Sequence, residues 1–298
     1  MLLRLIISSF IILILPSDLC LAKDIHQEKS LYQNIVVRET GQRRCLLFTV
    51  KRGDRNQTCF DLKNPKKLVF PYVRMTLGGL LLNSSPKDVL VIGLGGGSIP
   101  ITLSELYPQA RIDVVEIDVA VLRVAKQYFD FNETEKIKVH ISDARVFIKR
   151  AGIKKQKYDL IILDAFTGDY IPEHLMTVEF LQESKRLLKN DGTLVANTFS
   201  TSKLYDHESV SYQLVFGDFL NFKMPHTGNR VILTKNNGLP DNDYLKNSAK
   251  KLSARLLTYG IDIDRYPGYM SRFKDWDQNK RPLTDQYNPA NLLQGKSH

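Results

Sequence analysis

Five short, almost wholly apolar runs punctuate the middle of the chain: DVLVIG (88–93), RIDVVEI (111–117), IKVHIS (137–142), YDLIILD (158–164) and GTLVANTF (192–199). Between and after them lie stretches with helical spacing of apolar positions, over 98–107, 119–129, 143–151, 173–189 and 207–218. Strands that are apolar on both faces and alternate with amphipathic helices predict a parallel sheet covered on both sides, a doubly wound α/β domain. Two further β-like runs, FLNFKMP and GNRVILTKN, are joined by a turn and would add an antiparallel hairpin to that sheet. A last helix is predicted over 242–259, whereas 260–298 is aromatic and polar with no clear period.

Upstream the pattern shortens. LYQNIVVRE, CLLFTV and TCFDL, separated by the turn signals ETGQR and RGDRN, predict a small antiparallel β module. FPYVRMTLGGLLL (70–82) reads as a helix leading out of it, which divides the chain into a β module over 23–69 and the α/β domain over 70–298. At the start, Arg4 precedes an apolar run from Leu5 to Leu15, then Pro16, then Cys20-Leu21-Ala22 ahead of Lys23. That order of charge, apolar core and small residue predicts a signal peptide over 1–22 and an exported protein, periplasmic or secreted. The apolar run is shorter than the roughly 20 residues a spanning helix needs, so no membrane span is expected after cleavage.

Cysteine usage agrees with export. Removal of the signal takes away Cys20 and leaves Cys45 and Cys59 on either side of a predicted strand-turn-strand. They pair as a disulfide in an oxidising compartment, or stand as two buried thiols. The formal net charge of +10 raises the question of nucleic acid, but the basic residues are interleaved with acids and no recognition motif accompanies them. No nucleic-acid partner is expected.

Candidate chemistry gathers at the ends of the apolar runs, where an open α/β sheet binds its ligands. Gly93, Gly95, Gly96 and Gly97 follow the first run and would let the backbone approach a ligand at a helix N-terminus. Glu116 ends the second run about twenty residues on, where a carboxylate accepts both ribose hydroxyls. Ser98 replaces the last glycine of a dinucleotide fingerprint, which makes a nicotinamide dinucleotide the poorer fit. Asp143, followed by Ala144, ends the third run where it would meet an adenine amino group, and Asp164 ends the fourth and points into the same cleft. Asp118 and Asp143 could equally be helix N-caps. Acids at successive strand ends favour an S-adenosyl-type nucleoside. The histidines nearest these runs, His140, His174 and His207, lack the spacing of metal ligands, and no metal is expected.

The segments SLYQNIVV (30–37), FPYVRM (70–75), VLVIGLGGG, VVEID, ISDAR, YDLIILDAF and LLKNDGTLVANTF resemble those of the spermidine synthase (polyamine aminopropyltransferase) family over nearly all of 30–295. The resemblance implies an N-terminal β module, a methyltransferase-type Rossmann domain and homodimers. It implies transfer of an aminopropyl group from decarboxylated S-adenosylmethionine to a small amine such as putrescine. Gln33 and Glu116 would hold the ribose, Asp143 the adenine, and Tyr72 would line the acceptor channel. Asp164 would take the proton of the attacking amine.

The chain departs from the family pattern at three points. Gly96 stands where the family carries an aspartate, Asp164-Ala165-Phe166-Thr167 lacks the family's second acid, and Arg74 stands near the place of an expected glutamate, where it would face the acceptor. Asp169 and Glu173, in TGDYIPEH, either restore negative charge to the acceptor site or charge the start of a helix near 173. With no acid at 96, S-adenosylmethionine itself, and hence methyl transfer, is a second reading; a non-catalytic exported binding protein is a third.

Overall fold

A computed structural model describes residues 22–50, 53–167 and 170–289. The predicted signal lies outside these residues apart from Ala22, and Asp169 lies outside them as well. The N-terminal module is a four-stranded antiparallel sheet of β1 (Lys23–Lys29), β2 (Asn34–Thr40), β3 (Arg43–Val50) and β4 (Gly53–Asp61), in chain order. β1 carries no alternating apolar pattern and was not expected as a strand. Its pairing with β2 supplies what its side chains do not, and Arg38 on β2 forms an ion pair with Asp24.

The main domain opens with α1 (Pro71–Thr76), which tightens into a 3-10 turn over Leu77–Leu81 in place of one continuous helix. There the backbone comes so close to the sheet that a Cβ on Gly79 would stand 2.4 Å from Val195. The alternation that follows is β5 (Asp88–Ile92), α2 (Ser98–Leu106), β6 (Arg111–Glu116), α3 (Val119–Tyr128), β7 (Ile137–Ile141), α4 (Ala144–Ile153), β8 (Tyr158–Leu163), α5 (Val178–Arg186), β9 (Leu188–Phe199) and α6 (Tyr205–Phe216). β10 (Leu220–Phe222), β11 (Asn229–Lys235), α7 (Asn242–Leu257) and β12 (Met270–Ser271) complete the order. The eight strands of the main sheet lie in the order β12-β10-β11-β9-β8-β5-β6-β7. Pairs among β5 to β9 are parallel, and β11 begins the antiparallel edge against β9. β12 extends that edge from the segment where no period was visible; two residues are too few to show one.

Successive residues of the central strands point to opposite faces, and both faces are buried. Val89, Val91, Ile112, Val114 and Ile162 pack with Leu103 of α2, Val121 of α3 and Leu252 of α7. Leu90, Ile92, Val115 and Ile161 pack with Ile148 of α4 and Phe180 of α5. This two-sided burial explains why the strands read as unbroken apolar runs. Among the described residues no helix is long and apolar enough to cross a membrane.

Two covalent and ionic ties stiffen the frame. Cys45 and Cys59 face one another on β3 and β4 and are joined in a disulfide that closes a separation of 14 residues. On the other side of the molecule, Arg230 of β11 and Glu208 of α6 form an ion pair with both side chains essentially inaccessible, 3.0 Å apart. Ser209 and Thr198 accept further hydrogen bonds from the Arg230 guanidinium, and the Tyr170 hydroxyl donates to Glu208. A charge left alone there would go unneutralised, so losing one partner of such a pair costs about 3–5 kcal/mol.

Closing a loop of this length stabilises a fold by about 3 kcal/mol. A Cys45→Ser/Cys59→Ser double variant should therefore melt several degrees lower by calorimetry. An unchanged Tm would mean that the hairpin needs no cross-link.

Candidate active site

The chain runs from β5 outward through β6 to β7, then returns to the other side of β5 and continues through β8 to β9. The reversal leaves a crevice at the carboxyl ends of β5 and β8, the place where doubly wound sheets bind ligands. A cavity of about 230 Å³ occupies it. Gly93 forms its floor with φ at +97°, and a Cβ there would stand 2.3 Å from the Asp164 carbonyl oxygen. Only a glycine lets the two strand ends come this close.

Glu116 ends β6 inside the cavity and is buried to 8% exposure. Its carboxylate accepts the backbone N–H of Leu94 and that of Asp118, each at 3.0 Å, which fixes its orientation and leaves lone pairs for further donors. Burial pushes its pKa up, against the opposing pull of those N–H groups. Asp118 lies behind it as the N-cap of α3, accepting from Ala120, and takes the Ser30 hydroxyl as a second donor. The same hydroxyl accepts the Gln33 N–H, so the turn between β1 and β2 is fastened to α3 and Gln33 lines the cavity.

Asp143 and Ala144 also line this cavity. One Asp143 oxygen caps α4 by accepting the Val146 N–H, and the other meets His174 Nε2 at 2.8 Å. Burial alone would raise this carboxyl, but the capping N–H and His174 outweigh it and hold its pKa below the ordinary value. Asp143 is therefore a helix N-cap that also lines the cavity.

Asp164 stands at the far end, where the first cavity meets a second of about 500 Å³. Tyr72, Gln57 and Phe166 line both. Burial drives the Asp164 pKa up to about 7, and a single hydrogen bond, donated by Asn197 Nδ2 at 2.9 Å, works against the rise. Asn197 is itself oriented, since its carbonyl oxygen accepts from Asn229 Nδ2 at 3.1 Å. The Tyr72 hydroxyl donates to the Gln57 carbonyl, and burial together with Asp164 keeps it a neutral phenol.

Three sequence expectations need correction. Gly97 does not line the cavity; it sits at the N-terminus of α2 with φ at +81°, and a Cβ there would strike the Phe131 ring at 2.6 Å. Its glycine serves the turn and the packing below it. Arg74 does not face an acceptor, because two residues along α1 turn it about 200° from Tyr72, and its guanidinium donates to the Gly260 carbonyl. Glu173 does not begin the helix: a 3-10 turn spans Glu173–Leu175, and Thr177 caps α5.

Thr58, Asn197 and His174 were missed. Asn197 carried a signal, as a polar residue at the carboxyl end of an apolar strand. Thr58 and His174 reach the site through tertiary contacts that no local pattern records. Thr58 matters because its hydroxyl accepts the Gly96 N–H at 2.9 Å while its methyl would stand 2.7 Å from a Cβ at that position. The space of a side chain at 96 is thus filled from β4. Among the described residues no three His, Cys, Asp or Glu side chains group as a metal site.

A crevice at the switch point of a doubly wound sheet is where such folds bind nucleotide and nucleoside ligands. A family model, the spermine/spermidine synthase domain, matches residues 71–225. A polyamine aminopropyltransferase of Vibrio vulnificus (strain CMCP6) is 57% identical over 272 residues, 90% of this chain and 91% of that protein. The eEF1A lysine and N-terminal methyltransferase of Mus musculus is 39% identical over 124 residues, which is 39% of this chain and 18% of that one. A solved structure of a probable spermidine synthase from Corynebacterium glutamicum ATCC 13032 superposes with a TM-score of 0.64 at 21% identity, over 86% of this chain and 99% of that one. The chain belongs to the spermine/spermidine synthase family and is a transferase.

If Thr58 occupies the room of a side chain at 96, Gly96→Asp should destabilise by about 1–3 kcal/mol through overpacking. Thr58→Ser, which removes only the methyl, should recover part of that loss in the double variant. Additive melting shifts in this cycle would show that the two positions do not compete for space.

Proposed function

We propose that this protein transfers an aminopropyl group from decarboxylated S-adenosylmethionine to a small amine. Asp164 carries the reading: a carboxylate poised near neutral pH at the junction of two cavities, one suited to the nucleoside and one to the acceptor. Glu116 and Gln33 would take the ribose hydroxyls, and Asp143 and Ala144 the adenine edge. The acceptor nitrogen, in its neutral form, attacks the propyl carbon next to sulfur. The N–C bond forms, the S–C bond breaks, the electron pair stays on sulfur to give methylthioadenosine, and the extra proton on nitrogen passes to Asp164. With a pKa near 7 this carboxylate is ionised often enough to accept the proton and basic enough to hold it.

Methyl transfer from S-adenosylmethionine is the second reading. It is favoured by Gly96, since no carboxylate at that position repels the carboxylate of an amino-acid tail. Calorimetric titration with both donors separates the two, because tighter binding of the decarboxylated form supports aminopropyl transfer. The export reading draws support from the disulfide, which persists in oxidising compartments.

Asp164→Asn should abolish transfer while leaving methylthioadenosine affinity within about twofold; retained turnover would remove Asp164 from the mechanism. The same variant tests the charge balance. A carboxyl whose pKa is raised on folding stabilises the fold in its protonated form, below its unfolded value, and loses that contribution as pH rises through about 7. The Asn variant should therefore melt several degrees above the parent at pH 8 and no higher at pH 4. Glu116→Ala should weaken methylthioadenosine at least tenfold by calorimetry, and an unchanged dissociation constant would refute the ribose role.

A further inference from the structure

β3 and β4 pair in regular register as far as Leu46 and Thr58, but the next residue of β3, Leu47, faces Asn56. Gln57 is thus an extra residue with no cross-strand partner, a β-bulge beside the cross-linked pair Cys45 and Cys59. A regular strand sends successive side chains to opposite faces, so only one of Gln57 and Thr58 would reach the site. Both line the first cavity. The bulge has turned a second β4 side chain inward.

Backbone and side chain of Gln57 are each fixed. Its carbonyl accepts the Tyr72 hydroxyl at 2.7 Å, which ties the β module to α1 where the two cavities meet. Its Nε2 donates to the Arg55 carbonyl at 3.2 Å. Only the N–H end of an amide can meet a carbonyl oxygen, so Oε1 is the end turned away from that contact. Gln57, Tyr72 and Phe166 line both cavities. Phe166 has no polar side-chain atom and the Tyr72 hydroxyl hydrogen is committed, so Gln57 brings an oriented amide oxygen to the junction at which Asp164 stands.

We propose that Gln57 Oε1 accepts one N–H of the reacting amine while Asp164 takes the other, which makes Gln57 a residue that orients the substrate. A neutral primary amine has two N–H groups and one lone pair. With both N–H groups held, the lone pair is the free direction of the nitrogen, and fixing that direction is a principal source of rate in a displacement. Gln57 forms no covalent bond and takes no proton. Its contact is with the reacting nitrogen alone, so it serves a diamine or a longer polyamine equally, whatever holds the far end. This role rests on the reading of Asp164 as the proton acceptor, and binding is therefore measured apart from turnover.

The parent, Gln57→Met and Gln57→Glu, each saturated with methylthioadenosine, are titrated calorimetrically with 1,4-diaminobutane, and turnover is assayed separately with the decarboxylated donor. Gln57→Met keeps the reach of the side chain and the backbone bond to Tyr72 but removes the amide oxygen. It should weaken the diamine about tenfold and lower kcat at least tenfold, with methylthioadenosine affinity within about twofold of the parent. Gln57→Glu keeps an oxygen at the same reach and should bind the diamine at least as tightly as the parent. The proposal is overturned by a Gln57→Met variant with parental diamine affinity and kcat, by a Gln57→Glu variant as weak as Gln57→Met, or by a parent that binds no diamine. Equal loss of methylthioadenosine and diamine in Gln57→Met also overturns it, because the side chain would then support the fold and not the amine. Selective loss of the diamine in Gln57→Met, beside a parent that transfers no aminopropyl group, would sink the proposed reaction and leave the Gln57 contact standing.

Discussion

Everything at the site hangs on how closely the ends of β5 and β8 approach one another. Gly93 lies against the Asp164 carbonyl with no room for a Cβ, and Asp164 in turn donates its N–H to Ile92. This contact sets the width of the crevice where the sheet reverses its direction of winding. It carries the Asp164 side chain to the boundary between two cavities and withdraws it from bulk water, which is what raises its pKa. A wider crevice would return the carboxylate to solvent and to its ordinary acidity. The same main-chain geometry therefore governs both where the Asp164 carboxylate stands and how readily it holds a proton.

Much of this was legible along the chain because the parallel strands are buried on both faces. Their apolar runs end abruptly, and the residues just past each end, Gly93, Glu116, Asp143 and Asp164, converge by topology alone. The β module was legible in three of its four strands. β1 escaped because an exposed edge strand needs no apolar pattern, only backbone partners. Gly97 was misread for a related reason: a glycine-rich turn shows where freedom is needed but does not say whether a ligand or a neighbouring ring, here Phe131, requires it. Thr58 and His174 were invisible because they enter from segments distant in sequence, one from the β module and one from the loop beyond Asp164.

The two cavities of the site follow different rules. In the first, backbone N–H groups and helix caps orient the carboxylates, so the recognition surface is an extension of secondary structure itself. Glu116 and Asp143 both serve the fold while facing the cavity. In the second, side chains orient side chains, with Thr227, Asn229 and Asn197 passing a fixed amide geometry to Asp164. The first arrangement resists change because altering it disturbs helix starts. The second depends on side-chain amides and a hydroxyl, and on no helix start.

The buried Arg230–Glu208 pair gives this contrast a further meaning. Thr198 and Arg230 project from β9 and β11 toward α6, while their strand neighbours Asn197, Phe199 and Asn229 project the other way into the second cavity. The pleat thus sorts anchoring and cavity lining onto opposite sides of the same two strands. Substitutions on one side can reshape the cavity while the charged anchor on the other keeps register and strand spacing constant. The shape of this cavity is in that sense separable from fold integrity, and the edge of the sheet is where it can be remodelled without a new scaffold.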